Sequence, residues 1–326
     1  MIMLVFLLFS FAREVNLLEL RREYVRNGMT AYTQGNYEEA ILEFKNALNV
    51  DSTDAPVAYN IACCYSLLNE KDSAITWIER TIKLGSYMFA RDSDFDNIRE
   101  SDEFQNLVLR AESLLAEARN REWSSYVFIP SDYNFKENYP VLVMLHGYGA
   151  SPRGFIGELA EILTERGFIY IVPYGTEVLG TSSFAWGEFG EVENKIISEI
   201  ENVIKNYSVD ISKVVLAGYS QGGSLTFDIT VRNPALFRGA IPISGTFDEE
   251  GLRDYFQKLD GKNLSFYIII GNRDREERVN SNKRAKEILE EHGIKVHLEM
   301  FPDVGHAFPG EPDEELGKAL DFILNE

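Results

Sequence analysis

The chain has 326 residues, 45% of them hydrophobic, a share that supports packed cores and argues against a disordered chain. Its formal net charge is −20, and the excess is spread out: residues 13–120 hold 12 Lys and Arg against 19 Asp and Glu, residues 121–326 hold 20 against 33. No basic patch exists, which argues against nucleic acid and anionic membrane surfaces as partners. The two cysteines, Cys63 and Cys64, are neighbours and offer neither a disulfide framework nor a zinc-ligand spacing. They read as small core residues, and no metal is implied.

The first residues, Met1–Ala12, are uncharged and apolar and end abruptly at Arg13-Glu14. The run is too short to span a bilayer, which takes about 20 residues. It matches the apolar core of a secretory signal, with Ser10 and Ala12 placed for cleavage, although no Lys or Arg precedes the core. The expectation is export to a periplasmic or extracellular location, or tethering by this segment. The alternative is a cytoplasmic chain with an apolar start.

A helical region follows, over residues 13–120, with an internal repeat. Shifting Arg21–Asp54 by 34 residues onto Ala55–Met88 places Gly28 on Ala62, Ala31 on Tyr65, Ala40 on Ala74, Phe44 on Ile78 and Ala47 on Thr81. Small residues at fixed sites in that period imply helix–turn–helix units whose helices cross closely. Gly35-Asn36-Tyr37 and Asn69–Asp72 are the predicted turns. The segment Gln34–Ala47 resembles a tetratricopeptide (TPR) repeat, and the second copy is in register with it. The resemblance implies a protein or peptide partner, or a gate for substrate; a purely structural appendage is the other reading. Asp94–Leu107 reads as a closing unit, with a further helix over Ser113–Arg121.

Arg119-Asn-Arg-Glu-Trp123 marks the domain boundary. Beyond it, short apolar strands alternate with amphipathic helices, the pattern of βαβ units and a mostly parallel sheet. Strands are expected at Ser125–Ile129, Val141–Leu145, Phe168–Val172, Val214–Ala217, Gly239–Ile243, Phe266–Ile270 and Val296–Met300, with helices near 153–166, 191–206, 222–233, 277–292 and 313–325. The stretch from Thr246 to Leu264 has room for a short helix and no large lid. The fold class is α/β, preceded by a small all-α domain.

The catalytic domain, 121–326, is organised around Gly218-Tyr-Ser-Gln-Gly222 between a strand and a helix. That layout is a nucleophile elbow: the turn lifts Ser220 Oγ clear of the sheet, and Gly218 and Gly222 sit where side chains would collide. The Gln221 N–H, at the helix start, faces a developing oxyanion. A serine needs a base, and the base an orienting acid. Of four histidines, His146 and His306 fall at carboxyl ends of strands, where ligands of α/β sheets collect; His292 ends a helix and His297 lies within a strand. Asp274, after the strand ending at Ile270, is the acid, with Asp248 as competitor; Asp303 reads as a turn residue. The chain order Ser220, Asp274, His306 is that of α/β-hydrolases. The His146-Gly147-Tyr148-Gly149 loop supplies the second oxyanion donor, the Tyr148 N–H, with His146 holding the loop in shape.

Leu145-His-Gly-Tyr-Gly149, Gly218–Gly223, Gly271-Asn-Arg-Asp274 and Gly305-His306 together resemble the phospholipase/carboxylesterase branch of the α/β-hydrolase superfamily, akin to dienelactone hydrolases and polyester depolymerase-like esterases. The resemblance covers residues 123–326. It implies hydrolysis of small-molecule carboxylic esters through an acyl-enzyme, with no metal or organic cofactor, and a substrate site near His146, Gly147 and Trp186; a loop tryptophan buried for packing is the other reading of Trp186. One stretch departs from the pattern: the turn after the acid, often apolar and proline-bearing in the family, is Arg275-Glu-Glu-Arg278, which implies a charged wall to the acyl site near Asp274 and argues against a lipid preference. A serine peptidase or amidase on the same fold, or a TPR scaffold with a relic hydrolase domain, are the rival readings.

Overall fold

The computed structural model describes residues 17, 20–308 and 311–325; the signal-like segment lies outside them. Two compact units are present. One holds the described residues up to Arg121 together with Val178–Ser183, and the other holds Glu122–Glu177 with Phe184 onward.

The first unit is built from helix hairpins: α1 (20–33) with α2 (Tyr37–Val50), and α3 (Ala55–Leu67) with α4 (Lys71–Lys83). The repeat is visible in the backbone. Gly35 and Asn69, 34 residues apart, close α1 and α3 with φ of 78° and 61°, the left-handed cap that glycine and asparagine tolerate. A Cβ on Gly28 would stand 2.6 Å from the Phe44 ring, so the close crossing of α1 and α2 explains the small residue. Ala40, Ala62 and Ala74, the other small repeat positions, are fully buried. Cys63 and Cys64 are buried and unbridged, and burial pushes the Cys64 thiol up to about 12. The closing unit differs from expectation. A short turn at Ser93–Phe95 leads to one helix, α5 (Asp102–Arg119), rather than two, because Ser101 caps it and no glycine or proline interrupts it afterwards. Val178–Ser183 belongs here: Tyr87 N–H donates to Leu179 O, Ser182 N–H to Gly85 O, and Ser86 bridges Gly180.

The second unit carries β1 (Tyr126–Phe128), β2 (Tyr139–Leu145), α6 (Glu158–Glu165), β3 (Ile169–Val172), the ribbon strands β4 (Glu177–Val178, of which Val178 counts with the first unit) and β5 (Phe184–Ala185), α7 (Phe189–Asn206), β6 (Val209–Tyr219), α8 (Gln221–Arg232), β7 (Gly239–Ile243), α9 (Glu249–Leu252), β8 (Ser265–Gly271), α10 (Glu276–Glu291), β9 (Lys295–Phe301) and α11 (Pro312–Leu324). The helix expected near 153–166 is split. Gly157 takes φ 75° and separates a 3₁₀ turn at Pro152–Phe155 from α6.

Seven strands form one sheet in the order β1-β3-β2-β6-β7-β8-β9. All neighbours are parallel except β1, which runs antiparallel to β3. The inner strands β2, β3, β7 and β8 are buried on both faces, which explains why they read as continuous apolar runs, whereas the edge strands β1 and β9 are half-buried. Val141, Val143 and Leu145 of β2 and Leu216 of β6 pack with α7, α8 and α10; Leu142, Met144, Val215 and Ala217 pack with α6 and α11. Each Val, Leu or Met among them, taken fully from water, contributes about 1.5–3 kcal/mol before entropy is subtracted. The chain runs from β2 outward to β3, then returns to β6 on the other side of β2. Outside the carboxyl ends of β2 and β6 this reversal leaves a crevice, the place where open α/β sheets bind ligands.

Candidate active site

Three loops meet at that crevice. The first is the turn from β6 into α8. Ser220 has φ 55° and ψ −112°, a conformation costly for a residue with a side chain, roughly 1–3 kcal/mol. The turn is held because the Ser220 N–H donates to Ile243 O at 2.8 Å. Its tightness explains the glycines: a Cβ on Gly218 would run into the Gly222 carbonyl, and one on Gly222 would lie 2.5 Å from Leu145 O on β2.

The second loop follows β9. Ser220 Oγ lies 2.8 Å from His306 Nε2, and His306 Nδ1 lies 2.8 Å from Asp274 Oδ2. An ionised carboxylate only accepts, so Nδ1 carries the proton and Nε2 is left to accept from the serine. Asp274 sits just past β8, with its side chain fully buried. Burial works to raise its pKa, but the His306 hydrogen bond and charge, the Arg275 N–H and the Arg278 guanidinium outweigh it and hold the carboxyl below the usual range.

Two residues that the sequence reasoning passed over fix the His306 loop. The Tyr219 ring stacks on His306 with centroids 5.6 Å apart, and its hydroxyl donates to His306 O at 3.3 Å. Ser244, buried after β7, donates to Ala307 O at 3.1 Å. The signal for Tyr219 was its place between Gly218 and Ser220; Ser244 gave none. The competing acids and bases are engaged elsewhere. Asp248 caps α9 by accepting from the Gly251 N–H, and Asp303 pairs with Arg273. His292 pairs with Asp260, and His297 with Glu299.

The third loop follows β2. A Cβ on Gly147 would stand 3.3 Å from Ser220 Cβ, so this backbone abuts the serine. Among the described hydrogen bonds, neither the Tyr148 N–H nor the Gln221 N–H has a protein acceptor. The Tyr148 side chain is 63% exposed. His146 is fully buried. Its Nδ1–H donates to Gly147 O at 2.8 Å and its Nε2 accepts the Gly175 N–H at 3.0 Å. Burial pushes its pKa down to about 4, so it is a neutral loop brace. This corrects the expectation of a substrate contact, since no side-chain surface of His146 is left for one.

For Trp186, burial favours the packing alternative over a substrate contact. Its ring is buried and stacked on His146 with centroids 4.8 Å apart, and its indole N–H donates to His146 O at 2.8 Å. The Gln221 side chain holds the Trp186 backbone from both sides, Nε2 donating to Trp186 O at 2.8 Å and Oε1 accepting from its N–H at 3.1 Å. Gln221 thus joins the Ser220 turn to the Trp186 loop.

Among the described residues, one cluster brings metal-type ligand atoms within 4.8 Å of one another: Cys63, Asp92 and Asp94 in the helical unit. Tyr59 and Tyr32 already donate to those two carboxylates, and burial keeps the Cys63 thiol protonated.

The sheet order and the hydrogen-bonded line of Ser220, His306 and Asp274 define an α/β-hydrolase. The profile of the phospholipase/carboxylesterase family matches residues 134–325, more than half of the chain, and a tetratricopeptide-repeat profile matches residues 55–84, the second copy of the repeat. The chain belongs to the phospholipase/carboxylesterase family. It is similar to a chloroplastic protein of Arabidopsis thaliana (36% identity over 94 residues, 27% of this chain and 28% of that one). It is also similar to an acetylxylan esterase of Coprinopsis cinerea (29% identity over 133 residues, 37% of this chain and 34% of that one). The chain thus spans about a third or less of these relatives. Among solved structures, esterase PE8 shares the fold, with a TM-score of 0.52 at 18% identity, covering 63% of this chain and 100% of that one.

Proposed function

We propose that the protein is a serine carboxylesterase working through an acyl-enzyme. The observation that carries this reading is the pair of 2.8 Å contacts from Ser220 Oγ to His306 Nε2 and from His306 Nδ1 to Asp274 Oδ2, at the carboxyl ends of β6, β9 and β8.

In the proposed reaction, Ser220 Oγ attacks the ester carbonyl carbon while His306 Nε2 takes its proton. The carbonyl π electrons move to oxygen, and the Gln221 and Tyr148 N–H groups hold the oxyanion. Losing one such donor typically costs about 10²–10³ in rate. Collapse of the intermediate breaks the bond to the alcohol oxygen, which leaves with the proton from His306. Water, deprotonated by His306, then attacks the acyl-enzyme and returns Ser220. Asp274 holds the tautomer and stabilises the imidazolium throughout.

The similarity to an acetylxylan esterase supports short acyl esters, including those on carbohydrates, as the first substrates to try. The repeats support a role for the helical unit in binding a protein or peptide partner or in gating substrate. The test is a panel of p-nitrophenyl esters of increasing chain length and acetylated xylan, set beside peptide amides. Turnover of short esters, with fluorophosphonate labelling abolished by Ser220→Ala, is the expected result. Labelling that persisted in Ser220→Ala would overturn the assignment, and amide turnover exceeding ester turnover would make the protein an amidase.

A further inference from the structure

The turn after Asp274 begins α10 and carries Arg278, one helical turn beyond the acid. The Arg278 side chain does not face outward into a charged acyl-site wall. Its Nη1 donates to Asp274 Oδ1 at 2.5 Å, and its side chain is only 19% exposed. The Arg275 N–H donates to the same Oδ1 at 2.7 Å. Asp274 Oδ2 is left for His306 Nδ1. Each carboxylate oxygen thus has an assigned partner, and the carboxylate plane is fixed by donors on both sides.

The same Nη1 lies 3.0 Å from His306 Nδ1. A guanidinium has no acceptor, so it bonds Nδ1 only when that nitrogen lacks its proton. Nδ1 therefore has two exclusive states. It donates to Asp274 Oδ2, which frees Nε2 to accept from Ser220; or it accepts from Arg278, which puts the proton on Nε2 and blocks the serine. With Arg278 committed to Oδ1, the first state prevails, because a carboxylate is a stronger partner for an N–H than a guanidinium is for a lone pair. Among the described residues, Asp274 is the only ion-pair partner of Arg278.

We propose that Arg278 is a positioning residue of this site, which fixes the Asp274 carboxylate so that its second oxygen meets His306 Nδ1. The inference rests on the esterase reading above. Asp274 works hardest when His306 is charged in the transition state, so misaligning it lowers kcat and kcat/KM together and leaves KM alone. A misplacement of an ångström costs about 10²-fold in rate.

The experiment compares Arg278→Met, Arg278→Gln and Arg278→Lys in the full chain, by steady-state hydrolysis of one ester and by thermal melting. Arg278→Met is expected to lose about 10²-fold in kcat with KM within about twofold of the parent. Arg278→Lys, which keeps a charged donor, is expected to recover most of that loss. A Met variant that melts cooperatively and keeps parental kcat overturns the proposal. So does a rise in KM at constant kcat, which would make Arg278 a substrate contact. If Arg278→Met does not fold, Arg278→Gln decides: a kcat equal to that of Arg278→Lys overturns the proposal. Failure of the esterase reading looks different, because the parent itself would then hydrolyse no ester.

Discussion

The indole N–H of Trp186 donates to the backbone carbonyl of His146 at 2.8 Å, so a tryptophan of one loop sets the backbone of another that lies against Ser220. The ring does its work from the interior, where its relative exposure is 3%. Trp186→Phe keeps most of the volume but leaves the His146 carbonyl without its donor. An orphaned buried acceptor costs about 1–3 kcal/mol, and urea denaturation should show a loss of that size. In the proposed mechanism the Tyr148 loop supplies an oxyanion donor and rests on the same carbonyl, so the ester kcat should fall in the same variant while KM stays near parental.

Ser220 pays for its exposure with backbone strain, at φ 55° and ψ −112°. Glycine visits such conformations freely. Ser220→Gly should therefore be at least as stable as Ser220→Ala, although glycine within regular structure ordinarily costs about 0.5–1 kcal/mol against alanine. Thermal melting of the two variants checks this. A Gly variant clearly less stable than the Ala variant would show that the turn stores no strain.

Asp274 gives the site an acid limit on stability. Its folded pKa is held below the ordinary carboxylate value, so its stabilising contribution is complete above that ordinary value and drains away as pH falls through the lowered one. In Asp274→Asn that contribution is absent at every pH. The stability gap between parent and variant should therefore be widest at neutral pH and narrow below about pH 4. A gap that stayed constant on acidification would refute the linkage.

Asp228, on α8, carries the opposite sign. Burial raises its pKa to about 6 against the pull of Arg232, and among the described residues its Oδ1 has no hydrogen-bond partner. Such a group penalises the folded state increasingly as pH rises from its unfolded value through its folded one. Asp228→Asn should leave stability unchanged near pH 3 and raise it by roughly 2 kcal/mol at pH 8. Denaturant titrations at the two pH values give the comparison.

Much of the site was legible because its chemistry is local. The glycines around Ser220, the strand before each loop and the order of serine, acid and base are all short-range features, and the close approaches of Gly218 and Gly222 follow from one tight turn. The 34-residue repeat was legible for the same reason, down to equivalent turns at Gly35 and Asn69, which the structure shows to be left-handed caps. What escaped depends on distant neighbours. Whether Trp186 lines a site or braces one is decided by where His146 lies, 40 residues earlier. Arg278 read as part of a charged wall to the acyl site. Its spacing of four from Asp274 acquires meaning only once α10 starts at Glu276 and turns the side chain back onto the acid. The ribbon of β4 and β5 has two residues per strand, too few for any periodicity to register.

That ribbon frames Val178–Ser183, six residues that count with the helical unit while the chain on either side counts with the hydrolase unit. The boundary is therefore discontinuous in sequence, and no single cut at residue 121 separates the halves. A catalytic fragment starting at Glu122 would keep these residues while deleting the Tyr87 and Arg119 donors and the Gly85 and Leu84 acceptors that hold them. It would also strip the packing around Val178. A gene design for the isolated hydrolase should replace 178–183 with a two-residue hairpin turn. An evolutionary graft of the repeats onto a simpler esterase would have required the converse, an insertion deep in the catalytic half as well as a fusion at its start.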